Sequence, residues 1–408
     1  MASTTEVNTA TAAESGTRTA ALAMFALLLV SYTLMSMDRY LVSMLGPDIR
    51  TALGLSLPQM GALTTMFTFG IALAGLPAGA LILRTSRKTV LLLGITLFSV
   101  ATLLYTQATG FFSMFVFIVM QGAGMAFLVT SMFALSASYF SKNRVAAVGI
   151  VNVCFGLGSF LGPWAIGNIR SSTGSWQTPM VVLGGAGIAL VILIALLVRP
   201  WLTETKGTAP GAASTGGAES LMNRNTIVFS LMSALYGLVV YGFLGLYPTF
   251  LRDVLQYPPA EVGGIMLFFG LGTLTSFWAG QLGDRFPTKV VISSASLVLV
   301  VLGFFLYQPD LSRGMYQFMA FLVGLFGASI VYTNLAGGHI KSLRRSLASK
   351  GSSMFVSSVY AGGALGGYLM GQLVANWGWG VAGQIQISLV SLLVALLVFG
   401  LRTSEFSK

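Results

Sequence analysis

The sequence predicts an all-α membrane protein: twelve transmembrane helices in two pseudo-symmetric six-helix halves, with both termini cytoplasmic. Three observations lead there. Apolar residues make up 55% of the chain and charged residues only 8%, a balance that a soluble protein of 408 residues could not hide in a core. Runs of about 20 apolar residues, enough to cross a hydrocarbon layer of about 30 Å, recur along the whole chain between short polar breaks. With the termini placed inside, Arg50, Arg170, Arg252 and Arg313 fall on the external side, Arg39 in the interior, and the remaining Lys and Arg on the cytoplasmic side, the asymmetry of the positive-inside rule.

The elements follow in order. Residues 1–19 are rich in Thr, Ala and Ser without periodicity and are expected to form a disordered cytoplasmic tail. The first apolar run, Ala20 to Leu45, is longer than a signal-peptide core and lacks a convincing cleavage site, so it is expected to stay as the first span. Gly46-Pro47-Asp48-Ile49-Arg50 closes it, and Pro58 opens the second helix where proline costs no hydrogen bond. Arg84-Thr-Ser-Arg87-Lys88 is a tight basic turn; helices three and four follow from about Val90 and Phe111, joined closely enough to be antiparallel neighbours. Helix five, from about Val145, carries Gly156, Gly158, Gly162, Pro163 and Gly167. No strand precedes Gly156-x-Gly158, so it is a close-packing seam and not a nucleotide loop. The N-terminal half spans 20–198. Residues 199–225, rich in Gly, Ala, Ser and Thr, form a flexible linker, and the second half, 226–402, precedes a short tail at 403–408.

The net charge of +11 is spread over loops and gathers on no single face, which argues against a nucleic-acid partner. The single Cys154 excludes an intrachain disulfide and reads as packing. No pair of interior acids, no metal-ligand spacing and no nucleophile beside a base points to an enzyme, and neither cofactor nor metal is expected.

The two halves repeat each other. Gly79-Ala-Leu81-Ile-Leu83-Arg84-Thr-Ser-Arg87-Lys88 aligns with Gly280-Gln-Leu282-Gly-Asp284-Arg285-Phe-Pro-Thr-Lys289 at a shift of about 200 residues, and Gly158, Gly162 and Gly167 match Gly362, Gly366 and Gly371 at nearly the same shift. At these residues the chain resembles the major facilitator superfamily, whose hallmark between helices two and three is Gly-x-Leu-x-Asp-Arg-x-Gly-Arg-Arg/Lys. The resemblance implies a gating role for Arg84, Arg87, Lys88, Asp284, Arg285 and Lys289. Leu83 stands where the family's clamping acid would be, which moves that role toward Asp284.

Ser36-Met37-Asp38-Arg39-Tyr40 places an acid and a base inside an apolar span, where ionisable groups face a cavity or a partner. A guanidinium in a low-dielectric cavity calls for an anion and fits a carboxylate with its planar fork. Neighbours on a helix point about 100° apart, so Asp38 can carry a proton while Arg39 holds the substrate. A static Asp–Arg pair is the structural alternative. Neutral polar groups that can join Arg39 in binding are Tyr32, Gln121, Asn152, Tyr236, Tyr241, Tyr332, Asn334, Ser357 and Tyr360. His339, at the end of helix ten, is expected at the membrane interface. Asp38-Arg39 followed by Pro47-x-Ile49 is similar to the anion:cation symporter branch of the superfamily, which implies proton-coupled import of organic acids. That branch usually carries an Arg and a Glu in helix four, where this chain has Ile118 and Met125. The expected protein is thus a monomeric inner-membrane symporter of a small organic anion and protons. A proton-driven efflux antiporter for drugs or metabolites is the alternative, supported by Gly158-x-x-x-Gly162-Pro163.

Overall fold

The computed structural model describes residues 3–139, 144–204, 217–344 and 347–406. The first long helix, α1, spans Ser3–Asp38, and short helices α2 (Leu41–Met44) and α3 (Gly46–Leu53) follow it. The N-terminal group continues with α4 (Leu57–Arg84), α5 (Arg87–Leu104), α6 (Phe111–Tyr139), α7 (Arg144–Thr173), α8 (Gln177–Leu197) and the single turn α9 (Pro200–Thr203). The C-terminal group comprises α10 (Arg224–Asp253), α11 (Pro259–Thr273), α12 (Ser276–Arg285), α13 (Thr288–Phe305), α14 (Arg313–Leu322), α15 (Tyr332–Lys341), α16 (Ala348–Gly383) and α17 (Val390–Leu397). Among the described residues, nine helices are long and apolar enough to cross a membrane. The helix begins at Ser3, within the stretch expected to be a tail; the segment is alanine-rich and contains no proline to stop a helix.

Local signals set the helix ends. A capping box starts α4: Gln59 N–H donates to the Ser56 hydroxyl while the Ser56 N–H donates to Gln59 Oε1, satisfying two otherwise orphaned donors. Ser86, Asn223 and Ser312 cap α5, α10 and α14 by accepting from the backbone N–H groups of Thr89, Thr226 and Met315. Gly54, at φ 63°, ends α3 in the left-handed conformation, and Gly378, at φ 78°, breaks α16 into two directions. A π-helical stretch, Val323–Val331, separates α14 from α15 and so sets where Tyr332 points.

Two seams join the groups, and both depend on absent side chains. Along α4 and α16, a Cβ on Gly61 would stand 2.1 Å from the Gly367 carbonyl oxygen, and one on Gly371 would stand 2.7 Å from the Pro58 Cα. Thr65 Oγ1 donates to the Ala364 carbonyl at 2.9 Å. Along α7 and α11, Gly167 lies against Pro259, Gly263 against Pro163, and Gly270 against Phe160. These contacts cluster toward the Asp48 end. Farther along the same face of α4, Thr65 and Thr68 are buried, but Ala72 and Gly75 are exposed, and a Cβ at Gly75 or Gly79 would meet nothing within 4 Å. On α16 exposure rises likewise from Gly367 to Val356 and Ser357. The α4–α16 seam is a wedge, shut at the Asp48 end and spread at the Arg84 end.

Candidate functional site

The first span is interrupted at its charged pair. Asp38 is the last residue of α1; Arg39 and Tyr40 form a tightened turn, in which the Tyr40 N–H donates to the Met37 carbonyl at 3.2 Å and so leaves the regular helical pattern, and α2 resumes at Leu41. Small residues of α7 press against this break: a Cβ on Gly158 would stand 2.3 Å from Ser36 Cβ, and one on Gly162 2.8 Å from the Met37 carbonyl oxygen. The glycine seam read in the sequence therefore packs on α1, beside the break.

The two charges go to different places. Asp38 is fully buried among α1, α5 and α6. Thr102 Oγ1 donates to its Oδ2 at 2.8 Å, and Gln121 Nε2 donates to its Oδ1 at 3.1 Å. Tyr105 fixes the amide by donating its hydroxyl proton to Gln121 Oε1 at 2.6 Å. Arg39 turns the other way. Its Nη2 donates to the Tyr241 hydroxyl at 3.4 Å, and its guanidinium carbon lies 5.0 Å from the Phe155 ring centre, 5.6 Å from Phe67 and 5.7 Å from Tyr40. Such ring-face contacts are worth about 2 kcal/mol or more each when desolvated, but the rings carry no net charge to balance the guanidinium. Among the described residues no carboxylate lies within ion-pair distance of Arg39, so no static Asp38–Arg39 pair exists here.

Several candidates converge on that guanidinium. Tyr32, Tyr241, Tyr332 and Tyr360 all lie within charge-interaction range of Arg39, with Tyr241 and Tyr360 rings 6.0 Å apart. A small cleft between the groups is lined by Arg39, Tyr40, Thr64, Phe67, Thr68 and Tyr241, among others. Others are engaged elsewhere. Gln121 belongs to the Asp38 network; Tyr236 donates to the Gly327 carbonyl at 3.1 Å; Asn334 donates to the Ala279 and Ile330 carbonyls. Ser357 is exposed on the spread part of α16. The Asn152 side chain lies outside the described residues.

The basic turn has a local job. Glu204 accepts from the Arg87 and Lys88 backbone N–H groups at 3.1 Å each, which places a carboxylate at the N-terminus of α5. Lys88 Nζ donates to the Ala195 and Val198 carbonyls at the end of α8, and Arg87 Nη1 to the Thr203 carbonyl. Arg84 and Arg285 are exposed, Lys289 is half-buried, and the Leu83 and Asp284 side chains lie outside the described residues. His339, expected at an interface, is buried instead, with its ring 5.4 Å from Phe229 and 5.7 Å from Phe355 and Nδ1 2.9 Å from the Leu335 carbonyl oxygen. Cys154 is buried, as its packing role requires.

At the shut end Asp48 on α3 accepts from Arg170 of α7 at 2.8 Å and pairs with Arg252 of α10, joining the two groups. Arg50 pairs with Asp253 at 2.7 Å. Burial alone would raise the Asp48 carboxyl, but the hydrogen bonds and charges of Arg252 and Arg170 outweigh it and hold the group below the usual carboxylate range. The sign follows: the clasp is at full strength above the ordinary carboxylate range and is lost only as pH falls through the depressed value. The protection of the amides of residues 46–53 against exchange, relative to their intrinsic rates, should therefore stay constant from about pH 8 to about pH 5 in the purified protein. Asp48→Asn should lower it at neutral pH. Equal protection in that variant would show that Asp48 does not hold this end shut.

A bundle of membrane-spanning length, shut at one end and presenting between its two helix groups a guanidinium without a carboxylate partner among the described residues, has the architecture of a membrane transport protein. Residues 28–367 match the family model of the Major Facilitator Superfamily, and the chain belongs to that family. It is 25% identical to the uncharacterized MFS-type transporter YceJ of Bacillus subtilis over 342 residues, covering 82% of this chain and 85% of that one. It is 26% identical to the multidrug resistance protein MdtL of Escherichia coli over 370 residues, covering 88% and 91%. Among solved structures, a bacterial homologue of the human lysosomal transporter Spinster, inward-facing and unoccupied, superposes with a TM-score of 0.70 at 18% identity, covering 93% of this chain and 95% of that chain. The nucleoside transporter NupG gives a TM-score of 0.70 at 16% identity, covering 91% and 99%. These likenesses establish the fold.

Sequence reading missed Thr102, Tyr105, Phe67, Phe155 and Glu204. Thr102 and Tyr105 had a usable signal: polar residues three apart, on one face of an otherwise apolar span.

Proposed function

We propose that the protein is a proton-coupled importer of a small organic anion, a carboxylate, working by alternating access between two six-helix halves at 20–198 and 226–402. The observation that carries this reading is Arg39: a guanidinium at the break in the first span, ringed by aromatic side chains and hydroxyls, without a carboxylate partner among the described residues. An anion brings the charge this site lacks, and the tyrosine hydroxyls add hydrogen bonds to it. Asp38, segregated behind α1, takes the proton. Twelve spans follow if α7 and the α11–α12 pair each cross and Gly378 divides residues 353–400 into two crossings. The basic-residue asymmetry supports a topology with both termini in the cytoplasm, the Asp48 clasp outside and the spread Arg84 end inside, in the inner membrane of a bacterial cell. The anion:cation symporter branch remains our reading from Asp38-Arg39 and Pro47-x-Ile49.

A second reading, efflux by proton antiport, is favoured by the similarity to MdtL and by the Gly158, Gly162-Pro163 seam packed beside the coupling acid. Proteoliposomes separate the two. Labelled organic acids are offered with a pH gradient of either sign; accumulation driven by an acid exterior supports the importer, accumulation driven by an acid lumen supports the antiporter, and pH-independent equilibration removes proton coupling.

A further inference from the structure

We propose that Thr102 is a hydroxyl rotor that lets one arrangement of heavy atoms around Asp38 accommodate both its ionised and its protonated form, and that Tyr105 and Gln121 lock the amide that makes this possible. The proposal deepens the reading of Asp38 as the coupling acid and rests on it. Thr102 Oγ1 has two acceptors within reach: Asp38 Oδ2 at 2.8 Å and the Phe98 carbonyl at 3.1 Å. Its single proton can serve only one of them at a time. Gln121 Nε2 reaches both Asp38 Oδ1 at 3.1 Å and Thr102 Oγ1 at 3.0 Å, one N–H for each.

With Asp38 ionised, Thr102 donates to Oδ2 and Gln121 to Oδ1, so both oxygens are satisfied. With Asp38 protonated, the new O–H bond at Oδ2 needs an acceptor within this fully buried site. Thr102 supplies it by turning its own proton to the Phe98 carbonyl, and its oxygen then accepts from Asp38 and Gln121 together. The proton enters from hydronium when the site opens and leaves water behind. Every polar atom is paired in both states, which matters because an unpaired buried polar group is costly. The amide cannot flip to present oxygen to the carboxylate, because Tyr105 already donates to Oε1 at 2.6 Å. Among the described residues the ionisable groups near Asp38 are Tyr105 from the end of α5 and Arg39, its chain neighbour, which faces away; α6, α7 and α8 bring no charged side chain against it.

The test is a pH titration of the purified protein by difference infrared spectroscopy, which needs no substrate. The carbonyl band of protonated Asp38 is assigned by its loss in Asp38→Asn. Thr102→Val removes a donor to the charged form and an acceptor for the neutral one; bonds to charge are the stronger, so the midpoint should move alkaline by about one pH unit and the band to higher frequency. Thr102→Ser should keep the midpoint and band of the wild type. Thr102→Ala serves if the valine variant does not fold, with the same expectation. Tyr105→Phe should move the midpoint by about half a unit, since the amide is then free to turn. An unchanged midpoint and band in both Thr102→Val and Thr102→Ala overturns the rotor, as does a titration with no band lost in Asp38→Asn. The coupling reading fails on a different result, gradient-driven transport that survives Asp38→Asn, so the two failures are distinguishable.

Discussion

Asp38→Asn is expected to abolish accumulation driven by a pH gradient while leaving substrate exchange across the membrane nearly intact. If one proton accompanies each monoanion, the movement is electroneutral, and each pH unit supports a tenfold accumulation, about 1.4 kcal/mol. A gradient of two units then sustains roughly a hundredfold ratio. Asparagine matches the carboxyl in size and can still bond Thr102 and Gln121, so the packing of α1 against α5 and α6 survives. What it cannot do is change charge. The variant should equilibrate substrate to a ratio near one, and counterflow should stay within about threefold of wild type, a barrier change below ~1 kcal/mol. Labelled uptake under an imposed gradient, paired with counterflow at equal pH, reads both quantities. Undiminished accumulation in the variant would put the coupling proton elsewhere.

Gly61→Ala should produce the second large effect, through the shape of the seam. The added carbon would stand 2.1 Å from the Gly367 carbonyl oxygen, an atom of the backbone that cannot rotate away, so α4 and α16 must part at the Asp48 end. Overpacking of this kind costs about 1–3 kcal/mol, which moves a two-state equilibrium by roughly five- to 150-fold. The cost falls on the state described here and not on the one open at the Asp48 end. Spin labels introduced by Thr51→Cys and Gln256→Cys, with Cys154→Ser to remove the native thiol, flank that end and report its opening. The expected result is a longer label distance with transport down by more than about tenfold. An unchanged distance would mean that the glycine contact does not govern closure.

The parts of this structure legible in the sequence were those carried by one stretch of chain. Hydrophobic runs set most of the spans, Ser56 and Pro58 marked the start of α4, and Asp38 and Arg39 stood out because ionisable residues are rare inside such runs. Their divergence also followed from helical geometry. The partners of those residues were not legible. Thr102 and Gln121 lie 64 and 83 positions from Asp38, and Tyr241 lies 202 from Arg39, so their meeting depends on how the helices pack. The glycines of α7 were readable as a seam, but not the identity of the helix that fills it. Arg87 and Lys88 show the opposite difficulty. A basic turn looks alike whether it gates, sets orientation or binds helix ends, and only the contacts with Glu204 and the carbonyls of α8 reveal its local bonds. The Asp48 clasp was missed for the same reason: Asp48, Arg170 and Arg252 become neighbours only when α3, α7 and α10 converge.

Arg39, without a carboxylate partner among the described residues, is proposed to receive the charge of the substrate. Calorimetric binding of organic acids and their neutral amide counterparts, to the wild type and to Arg39→Ala, tests it most directly. The account predicts that the wild type prefers the acid by about tenfold or more, the usual margin of a charge-assisted bond, and that Arg39→Ala loses this preference. Equal affinity for acid and amide in the wild type, or a preference that survives in Arg39→Ala, would contradict it.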